Sequence, residues 1–176
     1  VFETYFYPYS KNLQHVLHSC TKSIMSALIG IALEKGYIKD IHQPIMEFFP
    51  TSTVAHLDDQ KKSMTLKHLL MMAAGLRCRD SYRYRWRGLI EMRGSNDWAQ
   101  YVLDLPMDAP PGTTFEYCNG VSYLLSAIIQ NTTNMRTSEF ARQYLFDPLD
   151  IVDITWAASP QGIDIGYGEM WLKPTD

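Results

Sequence analysis

Ser19 is followed three residues later by Lys22 in the stretch HSCTKS, a pairing that can activate a hydroxyl. If the segment is helical, residues three apart share one face with Cβ atoms about 5–6 Å apart, within reach of a long lysine. A serine hydroxyl is a poor nucleophile until its proton is taken. A lysine takes that proton only where burial or a neighbouring cation keeps the amine neutral. A helix start adds free N–H groups and a partial positive charge where an oxyanion would develop. Nucleophile, base and half an oxyanion hole therefore fit in one turn. The spacing alone is weak, because average Ser and Lys usage gives on the order of one chance match in a chain this long. By itself it describes a capping serine followed by a surface lysine.

A second cluster is Tyr117-Cys118-Asn119-Gly120, which follows a turn segment rich in Pro and Gly (Pro106, Pro110, Pro111, Gly112) and precedes a helical pattern. Side chains there can project from a loop. A tyrosine beside an ammonium can pass its proton on, and an amide both donates to and accepts from an acyl-amide substrate. Read alone, the same residues are a half-buried tyrosine and a helix-capping asparagine.

Other conspicuous residues point elsewhere. Arg77, Arg79, Arg83, Arg85 and Arg87 interleave with Tyr82, Tyr84 and Trp86, a composition able to stack on bases and pair with phosphates. The ordinary alternative is arginines packed over aromatics on a solvated loop. His15, His18, His42, His56 and His68 form no ligand-spaced cluster, so no metal and no cofactor is expected. His18 adjoins Ser19, but neighbours at a helix start point in different directions, so His18 reads as structural. Cys20 and Cys118 flank the reactive candidates and read as small packing residues. Three cysteines (with Cys78) cannot close a disulfide set, which leaves the compartment open. Asn131-Thr132-Thr133 matches a glycosylation acceptor, too short a signal to decide anything.

The elements that must position these residues are mostly helical. Ser19 to Lys35 is apolar on nearly all sides and ends at Gly36, which predicts a buried central helix. Pro44 opens a short helix through Phe49, Thr51 to Lys62 reads as surface loop, and Thr65 caps a helix that Gly75 closes. A long connection, Leu76 to Ser95, precedes a helix from Asp97 to Leu103 capped by Asn96, and two more helices follow at Val121 to Gln130 and Ser138 to Leu145. Val1 to Tyr7 reads as a strand, and the last five residues read as the entry to a further helix. Both ends therefore look like cuts through elements, as in a piece of a larger fold. The 176 residues are 46% apolar with a net charge of −3, which argues against disorder and for one domain. With 16 Lys and Arg against 19 Asp and Glu, nucleic-acid binding is not the leading reading. The longest apolar stretch, Ile24 to Leu33, is too short for a membrane span.

Three segments, HSCTKSIMSALIGIALEKGYIK, MTLKHLLMMAAGL and DLPMDAPPGTTFEYCNGVSYLLSAII, in this order, resemble the serine β-lactamase and penicillin-binding-protein superfamily. The branch they most resemble is the class C β-lactamase-related serine hydrolases and esterases, in which Tyr-x-Asn stands for the S-D-N element. The resemblance implies the α+β β-lactamase/transpeptidase-like fold, with residues 1–176 supplying mainly its helical region and an N-terminal strand. It also implies Ser19 as acylated nucleophile, Lys22 and Tyr117 as proton-transfer partners, and Asn119 as a ligand of the substrate. The family's third motif, Lys-Thr-Gly or His-x-Gly on a sheet-edge strand, has no match here, so the chain reads as a partial domain.

The expected function is an acyl-enzyme serine hydrolase acting on a small ester, amide or lactam, with a general esterase or amidase preferred to a dedicated β-lactamase. The competing reading is a non-catalytic, penicillin-binding-like module. Nucleic-acid binding through residues 77–87 ranks lower, and in related hydrolases that connection lies near the cleft mouth, where it would favour anionic substrates. The resemblance further suggests an exported or periplasmic protein. The isolated piece is expected to be nearly inactive, since one oxyanion donor is missing, and to self-associate through the apolar face a sheet would cover.

Overall fold

A computed structural model describes residues 2–176, apart from the side chain of Tyr82. Its two longest helices, α1 (Thr21–Glu34) and α6 (Asn119–Thr133), pack on each other. The buried central helix is α6, not α1: residues 119–129 are all buried, Val121, Tyr123, Leu124 and Ile128 completely. The first helix buries Thr21, Met25, Leu28, Ile29 and Ala32, while Ser23, Ser26, Ala27 and Gly30 are exposed. Small residues make its outer face, so the all-apolar pattern overstated the apolar area there is to bury.

Helix ends follow local chemistry with some displacement. Gly36 takes the left-handed conformation (φ 77°) just past α1, and Pro44 leads into a 3₁₀ turn, Ile45–Phe48. Residues 51–62 are not all surface loop. They include α2 (Asp59–Lys62), and Lys61 is fully buried, its ammonium donating to the carbonyls of Ala55 (2.7 Å) and Leu103 (2.8 Å). Lysine is read as a surface residue by default, and only the fold provides those two acceptors. Next, α3 (Leu66–Leu70) starts at Thr65, whose N–H donates to His68 Nδ1 at 3.2 Å. It stops before Gly75, because Met72 already adopts the left-handed conformation (φ 53°). Gly75 serves a different contact. Its carbonyl accepts the N–H groups of Asp108 and Ala109, and a Cβ there would lie 2.2 Å from the Ala109 carbonyl oxygen. The Pro-rich turn is thus fastened to the end of the α3 segment.

The connection expected after Leu76 contains a 3₁₀ turn, Tyr82–Tyr84, and α4 (Arg87–Gly94). The cap of α5 (Trp98–Asp104) is Asp97, which accepts the Gln100 N–H at 2.9 Å, rather than Asn96. After α6, α7 (Thr137–Ala141) runs into a π-helical turn, Arg142–Phe146.

The sheet is small and antiparallel. Its strands are β1 (His15–Val16), β2 (Thr155–Trp156) and β3 (Met170–Leu172), in the order β1-β3-β2, with His15 opposite Leu172 and Thr155 opposite Trp171. The strand expected at Val1 to Tyr7 is therefore misplaced: residues 2–7 form none, and Val1 lies outside the described residues. Alternation makes a strand only where a neighbour takes its hydrogen bonds and packs its faces, yet Phe2, Phe6 and Tyr7 are exposed. The last residues form a turn in which Lys173 N–H donates to Asp176 Oδ2, not a helix entry. Helices with a small antiparallel sheet make the α+β class.

One covalent link corrects the cysteine reading. Cys78 and Cys118 form a disulfide with Cα atoms 5.6 Å apart, 40 residues apart in sequence. Cys118 is thus a cross-link rather than a plain packing residue, and Cys20 is an exposed free thiol. Closing a loop of that length stabilises by on the order of 4 kcal/mol in the chain-entropy account. Replacing both Cys78 and Cys118 with Ser is expected to lower the urea-unfolding free energy by roughly 2–4 kcal/mol. A midpoint unchanged by the replacement, or by reductant, would mean that the bridge does not form.

Candidate active site

Ser19 sits in a 3₁₀ turn, His18–Cys20, that leads directly into α1. The strand pairing continues one residue past β1, with Leu17 N–H donating to the Met170 carbonyl at 2.8 Å. The sheet therefore delivers the serine next to the segment preceding β3. His18 takes a left-handed conformation (φ 45°), which turns the chain from strand into helix at the serine. Tyr117 arrives from the Pro-rich turn, anchored by the Glu116 N–H on the Met72 carbonyl (2.8 Å), and Asn119 is the first residue of α6.

All four residues singled out in the sequence come together. Ser19 Oγ is 2.6 Å from the Tyr117 hydroxyl. Lys22 Nζ donates to Ser19 Oγ (3.2 Å), to Asn119 Oδ1 (2.9 Å) and to the Tyr167 carbonyl (2.8 Å), and lies 4.8 Å from the centroid of the Tyr117 ring. All three ammonium donors are used, so the amine is fixed in direction. Burial lowers the Lys22 pKa from the ordinary lysine value, partly opposed by the neighbouring Tyr117 and Asp80. Asn119 is nearly buried, with its amide oxygen committed to Lys22.

Two contributors had no sequence signal. Asp80, 2% exposed, accepts the Asn119 N–H at 2.7 Å through Oδ2, and the backbone N–H of Leu89 in the first turn of α4 also favours its charged form. One carboxylate thus meets the first turns of both α4 and α6, where unpaired N–H groups and helix dipoles favour negative charge. Burial raises its pKa, and the Asn119 and Leu89 N–H groups and Lys22 counter that rise. Gly88 lets α4 come this close, since a Cβ there would lie 1.6 Å from the Cys78 carbonyl oxygen. The other contributor is the Tyr167 carbonyl, the third acceptor of Lys22. Nothing local in the sequence ties residue 167 to residue 22.

Ser19, Tyr117 and Asn119 border an open cleft of about 650 Å³, and Lys22 sits behind them, bonded to Ser19 and Asn119. Trp86, Leu89, Tyr167 and Trp171 give it apolar and aromatic walls, and the Arg93–Glu169 ion pair (2.9 Å) lies at its side. Burial pushes the Tyr167 hydroxyl up to about 12, so it stays neutral. A slightly larger hollow, about 700 Å³, is bordered by residues 37–52 and 130–139 and contains none of the four. No group of three His, Cys, Asp or Glu among the described residues is arranged to hold a metal ion. No helix among them is long and apolar enough to cross a membrane.

A serine at a helix head, with a partly buried lysine and a tyrosine–asparagine pair on the opposite wall, defines a class of active-site architecture. The Beta-lactamase family profile matches residues 1–173, and the chain belongs to that family. Among solved structures it is similar to one provisionally described as a 6-aminohexanoate-dimer hydrolase from Bacillus anthracis (TM-score 0.80, 17% identity, 99% of this chain and 48% of that one). It is also similar to a D-amino acid amidase from Ochrobactrum anthropi SV3 (TM-score 0.69, 21% identity, 96% and 55%). A third is EstCE1, a hydrolase with promiscuous acyltransferase activity (TM-score 0.75, 15% identity, 96% and 57%). The chain spans about half the length of these structures. No curated protein sequence matches it.

The Tyr167 carbonyl depends on a close approach at Gly166. A Cβ at that position would lie 2.4 Å from the Ser122 carbonyl oxygen and 3.2 Å from Ser126 Cβ, both on α6. Gly166→Ala is expected to push the segment off α6, at a cost of roughly 1–3 kcal/mol in unfolding free energy. Unchanged stability in a urea titration would show that the approach is not constrained.

Proposed function

We propose that the protein containing this chain is a serine hydrolase that works through an acyl-enzyme on a small ester or amide. The observation that carries this reading is the convergence of Ser19, Tyr117, Lys22 and Asn119 at hydrogen-bonding distances on an open cleft. Ser19 Oγ attacks the carbonyl carbon while neutral Lys22 takes the serine proton. The carbonyl π pair moves to oxygen, where the partial positive charge at the head of α1 favours it. On collapse the bond to the leaving group breaks, the Tyr117 hydroxyl passes a proton to the departing alkoxide or amide nitrogen, and the proton held by Lys22 returns to Tyr117. Water then attacks the acyl-serine with the same groups handling its protons, and Ser19 is regenerated. Asn119 holds Lys22 in line and offers an amide to the substrate.

A general esterase or amidase is preferred to a dedicated β-lactamase, in keeping with an amidase and a promiscuous hydrolase among the similar structures. The second oxyanion donor is expected from outside residues 1–176. A disulfide beside the site fits an oxidising compartment and hence an exported protein.

Ser19→Ala is expected to abolish labelling by a fluorophosphonate probe while leaving the circular dichroism spectrum unchanged. Labelling that persists would refute the nucleophile. Because neutral Lys22 is the active form and burial lowers its pKa, acylation should rise with pH through a midpoint below 10.5. A rate that falls across that range would reverse the assigned role of Lys22.

A further inference from the structure

Leu76, Cys78, Asp80 and Gly88 are buried, and Trp86 lines the catalytic cleft. The odd-numbered Arg77, Arg79, Arg83, Arg85 and Arg87 all line a second cleft, of about 460 Å³. Five of the chain's 16 basic residues are thus gathered on one hollow in a protein of net charge −3. The hollow also contains two carboxylates. Asp108 is paired with Arg77 (2.6 Å), and Glu116 accepts the Arg79 N–H (3.3 Å). Arg87 is paired with Glu91 (2.6 Å). Among the described residues, no carboxylate lies within ion-pair distance of the side chains of Arg83 and Arg85. Like charges gathered in a concavity repel one another, and an anionic ligand removes that cost while meeting the planar guanidinium forks in paired hydrogen bonds.

The arginine cleft and the catalytic cleft are lined by neighbouring residues of the same two segments. Trp86 and Tyr117 stand edge to face, ring centroids 6.4 Å apart, and both line the catalytic cleft. Their chain neighbours Arg85, Arg87 and Glu116 line the arginine cleft.

We propose that the arginine cleft is an anion subsite of the Ser19 centre and takes a carboxylate carried by the substrate beyond its scissile carbonyl. The proposal rests on the acyl-enzyme reading and narrows it to dicarboxylic monoesters and monoamides. The size of the hollow is that of a small-molecule site. Nucleic acid fits less well: base stacking needs a series of open aromatic faces, whereas among the described side chains Tyr84 is the one aromatic lining this cleft, Arg83 lies 5.8 Å from its ring, and Trp86 lines the other cleft.

The test compares the p-nitrophenyl monoester of glutaric acid with p-nitrophenyl pentanoate, using the full-length protein and its Arg83→Gln/Arg85→Gln variant. The variant is expected to raise KM for the glutaryl ester about tenfold or more, with the pentanoyl ester unchanged, and added salt should mimic the effect on the wild type. Equal changes for both esters, or none, would overturn the proposal. Calorimetry with glutarate on Ser19→Ala protein provides a readout that does not depend on turnover. Binding that is lost in the Arg83/Arg85 variant supports the subsite even if neither ester is hydrolysed, an outcome that would refute only the acyl-enzyme reading. Absence of glutarate binding, or binding of a single-stranded oligonucleotide with no discrimination between the esters, would overturn it.

Discussion

The arrangement depends on one ammonium group. Lys22 is half-buried, and an amine taken out of water needs acceptors for its donors. It finds three, from Ser19 at the head of α1, Asn119 at the head of α6 and the carbonyl of Tyr167 before β3. The two longest helices and the sheet therefore meet at a single nitrogen. Losing any of the three would leave a donor unpaired in a partly buried place, where the cost exceeds the modest net worth of a hydrogen bond. The same burial biases the amine toward its neutral form, the form that the proposed proton transfer uses.

A second layer holds that nitrogen's partners. The segment Tyr117-Cys118-Asn119 is tied at adjacent residues to the stretch 78–80, by the Cys78–Cys118 bridge and by Asp80 on the Asn119 N–H. Asp80 also lies against the first turn of α4, where a Cβ at Gly88 would come 2.8 Å from Oδ1, so the helix that follows the arginine segment is packed close to the head of the helix that carries Asn119. Gly88 and Gly166 are the two places where this assembly needs the absence of a side chain. The surroundings of the serine thus rest on contacts between parts of the chain roughly 40 residues apart or more.

Much of the site could be read from residue types in order. Ser19 and Lys22 lie one turn apart, and Tyr117 and Asn119 straddle a helix start, so short-range geometry already constrained each pair. The structure adds that the shortest contact of the serine is with Tyr117, 98 residues away, rather than with its helical neighbour Lys22. Helix existence was also legible, because apolar periodicity and capping residues are local. Errors gathered where a local pattern needed a distant partner. Strand pairing at His15–Val16 instead of the first seven residues is decided by β3, some 155 residues later. Burial of Lys61 requires the carbonyls of Ala55 and Leu103, and the disulfide requires two loops to meet.

By itself the sequence determined the helical make-up, the reactive residue types and their order along the chain, since these rest on interactions within a turn or two. Tertiary structure alone decided which helix is central, which cysteines pair, what accepts the lysine's protons and which way the arginines face. The physical reason is that burial, ion pairing and close backbone approach are properties of the surroundings of a residue, and those surroundings come from segments that no local periodicity connects.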